Sequence, residues 1–371
     1  MILSFLLYSF LVIFILYCFS LILINLGLFR LKKPVFKEDR GVTVIVPARN
    51  EEKNISECLE CLLNQDYDQK KLEIIVIDDR STDRTGEIID GFVKKHDIFK
   101  KIKIEDVPDG ISPKKNAVQN GVEKAEFDLI LLTDADCRPH EKWVKTMQSC
   151  YEKNTGVVFG YSPLIYKKSN FIFKKFLYTD ALSLAVISAG SSKIGMPLTC
   201  SGRNLSYRKE AFTETGGFGE SAFILSGDDD LLMHRIKKKT KWEIKYSTFK
   251  DSINPSHVDL DFSSFINQRM RHSSKFKYHP FYVKLFSAVV FLLNLFILLF
   301  PLTFFVSQQY LDYYMAVLVL KFIGEYMLLN YGRNKLNAGF DPSGFIVTFI
   351  LHPFYVVILA LMGLTGKYKW K

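Results

Sequence analysis

The sequence predicts an α/β domain built on a mostly parallel sheet, carried between membrane-spanning helices. Three observations lead there. Short apolar runs that read as buried strands alternate with amphipathic helical stretches between about residues 40 and 275. Long apolar segments dominate residues 1–29 and the chain beyond residue 276. Finally, 48% hydrophobic residues coexist with 24% charged ones, which suits a polar body joined to apolar segments better than an even blend. At 371 residues the chain also exceeds one typical soluble domain. The expected organisation is a membrane anchor at 1–29, a soluble domain at 30–275, and a membrane region at 276–371 with two or three spans.

In chain order, Ile2–Phe29 carries no charge before Arg30 and is long enough to cross a bilayer. A signal peptide is the competing reading, but a basic leading region and a small-residue cleavage site are both missing. Arg30, Lys32, Lys33, Lys37 and Arg40 follow at once and, by the positive-inside rule, put the next domain in the cytoplasm and the N-terminus outside. The net charge of +10 alone would permit nucleic acid. Because many basic residues border apolar segments, membrane lipids explain them better, and no nucleic-acid partner is expected. The six cysteines have no framework spacing; Cys58 and Cys61 form one C-x-x-C inside a helical pattern, which reads as a helix face and fits a reducing compartment.

The soluble body opens with Val42–Val46, a strand ending in Pro47-Ala48-Arg49-Asn50-Glu51-Glu52. Asn50 is placed to cap a helix carrying Ile55 through Leu63. A second strand, Ile74–Ile77, ends in Asp78-Asp79-Arg80, with Ser81, Thr82 or Asp83 as caps for the helix beyond. A short strand at Ile102–Ile104, a helix from about Lys114 to Lys124 and the strand Leu129–Leu132 complete this half. If the strands are parallel, the polar groups after the first, second and fourth gather at one edge, where open α/β sheets bind ligands. Asp134 and Asp136 follow the last strand. Residues two apart share a face, and a pair of carboxylates suits Mg²⁺ or Mn²⁺ that also takes phosphate oxygens. An isolated D-x-D is more often a turn that caps the next helix, so this pair needs the rest of the chain behind it.

That support comes from seven segments in order: VIVPARNEEKNI, IIVIDDRSTDRT, KKNAVQNG, LILLTDADC, MPLTCSGRNLSYRKEAFTETGGF, SGDDDLL and INQRMRHSSK. Together they cover most of residues 42–275 and resemble the family 2 inverting glycosyltransferases of the GT-A fold. The resemblance implies a nucleotide-sugar donor, a UDP-sugar by expectation, a divalent metal held through D-x-D, and direct displacement by an acceptor hydroxyl. It implies that Pro47, Arg49, Asn50 and Glu51 border the nucleoside and that Asp79 accepts hydrogen bonds from the base, with Asp78 structural. Asp134 and Asp136 would meet ribose and metal, Asp136 being the direct ligand. Lys114 and Lys115 open a helix where the family has a phosphate-binding lysine; Lys115 is taken as the donor contact, with simple solvation of a helix start as the alternative. Gly202 and Asn204 fall in a loop that borders the acceptor pocket in the family. Gln268-Arg269-Met270-Arg271-His272 resembles Q-x-x-R-W, giving Arg271 to the diphosphate and Gln268 and His272 to the acceptor, with His in place of the usual Trp. For the base, alignment on G-D-D selects Asp229 and alignment on D-x-D-L selects Asp228; Asp229 is the choice.

Two further stretches stay open. Asn170–Pro197 is apolar but interrupted by Lys174, Lys175 and Asp180, and fits either a helix lying in the membrane interface or a buried core helix. After Phe281 the spans Phe281–Val306, Tyr313–Asn330 and Phe345–Leu364 follow, the second carrying Lys321 and Glu325 one turn apart. Three full crossings would put Lys367–Lys371 outside against the positive-inside rule, so one segment is a candidate for re-entry. The expected function is transfer of a sugar to a lipid-linked or glycan acceptor at the cytoplasmic face of the inner membrane. The alternatives are a processive synthase that also translocates its polymer and a non-catalytic partner subunit.

Overall fold

The structure is a computed structural model that describes residues 2–32, 35, 36, 39–166, 171–258, 262–305, 308 and 310–364. In chain order the elements begin with α1 (Ile2–Phe29), β1 (Val42–Ala48), α2 (Ile55–Leu63), β2 (Leu72–Asp79), α3 (Thr85–Lys95), β3 (Phe99–Ile104) and α4 (Pro113–Lys124). They continue with β4 (Leu129–Leu132), α5 (Trp143–Ser149), β5 (Thr155–Phe159), β6 (Leu164–Tyr166), α6 (Phe171–Lys193), β7 (Leu205–Arg208) and α7 (Lys209–Glu214). The last are α8 (Asp230–Lys239), β8 (Glu243–Tyr246), β9 (Ser256–Val258), α9 (Phe262–Ser274), α10 (Phe281–Leu299), α11 (Tyr310–Leu336) and α12 (Pro342–Leu364).

The chain forms two compact units. The α/β unit is Leu31–Lys167 with Thr199–Asp259; the helical unit is Met1–Arg30, Lys168–Leu198 and Leu260–Lys371. The α/β unit is therefore narrower than the span 30–275 expected from sequence, because α6 and α9 leave it for the helical unit.

In the α/β unit a seven-stranded sheet runs β3-β2-β1-β4-β7-β5-β8, and β6 pairs with β9 apart from it. Strands β1 to β4 are mutually parallel, and β7 is antiparallel to both β4 and β5. Apolar runs such as Val42–Val46 and Ile74–Ile77 form strands covered on both faces, and these residues are buried throughout. Helix α4 sits close on this sheet because residue 121 is glycine: a Cβ there would come within 2.9 Å of both Ile45 and Ile77. From β1 the order proceeds to β2 and β3 on one side and to β4 on the other. The sheet thus has its switch point at β1/β4, the place where open α/β sheets bind ligands beyond the strand ends.

Among the described residues, the helical unit contains four helices long and apolar enough to cross a membrane: Leu3–Phe29, Phe281–Phe304, Tyr310–Leu336 and Pro342–Gly363. Helix α6 packs inside this unit, which favours the core-helix reading of Asn170–Pro197. Its contact with α1 needs two glycines, since a Cβ on Gly190 would fall 2.4 Å from the Ile24 carbonyl and one on Gly27 only 2.0 Å from that of Gly190. Residues Lys321 and Glu325 pair at 2.8 Å, the Glu325 carboxylate also accepts the Tyr17 hydroxyl, and the Lys321 ammonium lies 4.5 Å from the Phe349 ring centre. Lys321 is 2% exposed, so the pair faces the bundle interior and does not snorkel. Arg269 of α9 pairs with Asp180 of α6. Lys33, Lys37 and Lys367–Lys371, on which part of the topology argument rests, lie outside the described residues.

Candidate active site

Parallel pairing brings the ends of β1, β2 and β4 to one edge. The first two loops there are tied together. Asn50 has φ of 55°, in the left-handed region, and its side-chain oxygen accepts the Thr82 N–H at 2.8 Å. The Glu51 N–H donates to Thr85 Oγ1 at 2.7 Å, and the Glu52 N–H to Asp83 Oδ2 at 3.1 Å. Asn50 therefore does not cap α2, whose N-cap position is Asn54; it clamps the β1 loop to the β2 loop. Asp83 accepts the Thr85 N–H at 3.0 Å, but the N-cap position of α3 is Arg84, so none of Ser81, Thr82 and Asp83 occupies it.

Strand β2 extends further than its apolar run, so Asp78 and Asp79 are strand residues, both 5% exposed. Asp78 accepts the Ser81 N–H at 3.1 Å and is structural, as expected. Asp79 accepts from Arg80 Nε at 2.9 Å at the strand end, bordering the same edge as Pro47, Arg49 and Glu51.

The centre of the site is a lysine between carboxylates. Lys114 Nζ stands 2.8 Å from Asp134 Oδ1 and 2.9 Å from Asp228 Oδ2. Burial pulls this ammonium down, but the two carboxylates outweigh it and hold it above the usual lysine range. Asp229 caps α8: its carboxylate accepts the Asp230 N–H at 2.7 Å and the Gly202 N–H at 3.1 Å. Gly202 packs close to this cluster: a Cβ there would lie 3.1 Å from Asp228 Oδ2, tight enough that the carboxylate would have to shift by a few tenths of an ångström. Asp134, Lys114, Asp228, Asp229 and Gly202 thus form one connected cluster.

Asp136 sits beside it, one residue beyond buried Ala135. Burial first, and then the charge of Asp134, raise its carboxyl above the ordinary range, with Arg203 partly offsetting them. Two carboxylates that repel each other in a partly desolvated crevice are what a divalent cation relieves. Among the described residues no group of three or more His, Cys, Asp or Glu gathers as a metal site. The residues present fit Mg²⁺ or Mn²⁺ that draws its other ligands from phosphate and water, as both ions commonly do.

Several expected contacts go elsewhere. Lys115 is 1% exposed and its ammonium donates to the carbonyls of Ser221, Ile224 and Ser226 at 2.6–2.9 Å, so it braces a loop and Lys114 reaches the site. Successive helical residues point in different directions, and the sequence leaves the choice between adjacent lysines open. Asn204 is fully buried: it accepts from Trp143 Nε1 at 2.9 Å and donates to the Tyr161 and Ser252 carbonyls at 2.9 and 2.8 Å. Its amide is occupied by partners inside the domain. Gln268, Arg271 and His272 lie on α9 in the helical unit.

A mixed sheet with a parallel half and carboxylates beyond its switch point suits the GT-A fold. Residues 43–216 match the family described as Glycosyl transferase family 2. The mannosyltransferase PcManGT from Pyrobaculum calidifontis, solved with GDP-Man and Mn²⁺, shares the fold, with a TM-score of 0.60 at 18% identity over 99% of both chains. Among curated relatives, the probable glycosyltransferase YdaM of Bacillus subtilis is 29% identical over 53% of this chain and 46% of its own. The poly-beta-1,6-N-acetyl-D-glucosamine synthase of Staphylococcus epidermidis is 30% identical over 58% of this chain and 50% of its own. Glycosyltransferase AglE of Haloferax volcanii is 28% identical over 62% and 71%. The chain thus spans about half the length of two of these relatives and more of the third. The chain is thus similar in sequence to family 2 glycosyltransferases over residues 43–216 and shares the fold of the mannosyltransferase.

Proposed function

We propose that this chain transfers a sugar with inversion from a nucleotide sugar to a lipid-linked or glycan acceptor at the cytoplasmic face of the inner membrane. The observation that carries the reading is the cluster of Asp134, Lys114, Asp228 and Asp229 at the carboxyl ends of parallel strands. Pro47, Arg49, Asn50 and Glu51 border the nucleoside, and Asp79 accepts hydrogen bonds from the base. Asp134 and Asp136 would hold Mg²⁺ or Mn²⁺, which would supply positive charge to the leaving diphosphate. Lys114 adds a second positive charge, and Arg271 is assigned to the same diphosphate through its bidentate fork.

The acceptor hydroxyl oxygen attacks the anomeric carbon from the face opposite the diphosphate. The bond between that carbon and the phosphate oxygen breaks, the nucleoside diphosphate leaves with the bonding pair, and the hydroxyl proton passes to Asp229. Gly202 lets backbone come close to this carboxylate, while Gln268 and His272 serve the acceptor. Membrane segments before and after the catalytic sequence suit an acceptor held in the bilayer. Screening the purified chain with Mn²⁺ against UDP- and GDP-sugars, with native lipid extract as acceptor, tests the reading. A labelled lipid or glycan product from one donor is expected; neither transfer nor donor hydrolysis with any of them overturns it.

A further inference from the structure

Lys114 stands where a cation would. Its ammonium lies 2.8 Å from Asp134 and 2.9 Å from Asp228, joining the loop after β4 to the start of α8. The neighbouring Lys115 is committed to loop carbonyls, which anchors this turn of α4 and leaves Lys114 to move by its own side chain. Resting on the nucleotide-sugar reading above, we propose that Lys114 is a positioning residue that holds Asp134 and Asp228 in place of the divalent cation. It releases both when a nucleoside diphosphate takes over its ammonium, so that metal and donor bind cooperatively.

The physical basis is competition for one carboxylate. A metal approaching Asp134 meets an ammonium already in hydrogen-bond contact with it, and the two like charges oppose each other across a few ångströms. An incoming diphosphate removes the obstacle in two ways: its oxygens give the ammonium new charge-assisted partners and supply the ligands that Asp134 and Asp136 do not. Each ligand therefore improves the site for the other, and by linkage the two enhancements are equal. Asp228, adjacent to the chosen base, stays ion-paired until the donor arrives.

The test is a Mn²⁺ titration of the full chain in detergent, read by electron paramagnetic resonance of free Mn²⁺, with and without UDP or GDP. The wild type is expected to bind Mn²⁺ at least about tenfold more tightly with the nucleotide than alone, a coupling within the ordinary allosteric range. Lys114→Met should bind Mn²⁺ alone about tenfold more tightly than the wild type and show a nucleotide enhancement smaller by that same factor, keeping the part that the phosphate oxygens contribute as ligands, whereas Lys114→Arg, which keeps the charge, should resemble the wild type. If Lys114→Met does not fold, Lys114→Gln replaces it. Unchanged nucleotide-free Mn²⁺ affinity in a folded, charge-removed variant overturns the proposal while leaving the function intact. A wild type that binds neither nucleotide in the presence of Mn²⁺ overturns the functional reading itself.

Discussion

The indole N–H of Trp143 donates to Asn204 Oδ1 at 2.9 Å, at a point in the α/β unit where both residues are fully buried. This contact decides what Asn204 does. Removing its amide deprives the indole of an acceptor and the Ser252 carbonyl of a donor, and buried polar groups left without partners are costly. Asn204→Ala is expected to lower stability by about 3 kcal/mol, read as a fall in melting temperature in detergent, with acceptor KM unchanged in the protein that folds. A raised acceptor KM at an unchanged melting temperature would restore Asn204 to the acceptor pocket.

The strands that build the site were legible because β1, β2 and β4 are covered on both faces. Such strands become continuous apolar runs with acids or turn residues at their ends, and Val42–Val46, Ile74–Ile77 and Leu129–Leu132 are all of this kind. The residues that changed role did so through long-range partners. Asn50 meets Thr82 across 32 residues, and Lys115 meets Ser221 across 106. No local pattern encodes such pairs. Helix α6 was ambiguous for a related reason: apolarity predicts that a helix is buried but not against what, and its neighbours α1 and α11 lie far away in sequence.

The metal assignment rests on Asp136 and Asp134. Asp136→Asn keeps nearly the same shape and sits beyond the strand end, so the fold should survive with a melting temperature close to that of the wild type. Mn²⁺-dependent UDP binding, measured by calorimetry, should be lost. Binding that persists with its metal dependence intact would remove Asp136 from the metal site.

In the helical unit, Lys321 and Glu325 form a buried pair, and breaking such a pair leaves an uncompensated charge. Lys321→Met alone should destabilise by about 3–5 kcal/mol, and the double variant Lys321→Met/Glu325→Gln should recover much of that loss. Thermal melts of the two proteins in the same detergent check the comparison. Equal loss in single and double variants would mean that the pair does not couple.

Topology can be read by labelling single cysteines with an impermeant thiol reagent in intact cells, in a cysteine-free background. The basic residues after α1 predict labelling at Ser4→Cys and protection at Lys103→Cys, which is on the exposed edge of the α/β unit. The reverse pattern would put the catalytic domain outside.

The choice between Asp229 and Asp228 now has a structural handle, because the two carboxylates have different partners. Asp229 accepts the amides of Asp230 and Gly202, whereas Asp228 pairs with Lys114. Asn and Asp are about equally good helix caps, so Asp229→Asn keeps one oxygen for the Asp230 N–H at the start of α8 while giving up the charge and the bond from the Gly202 N–H. If Asp229 takes the acceptor proton, kcat should fall by a factor of about one hundred or more with donor KM nearly unchanged. Asp228→Asn removes a partner of Lys114 and should change donor and metal affinity more than turnover. An active Asp229→Asn enzyme beside an Asp228→Asn enzyme with the hundredfold loss of kcat would move the base by one residue.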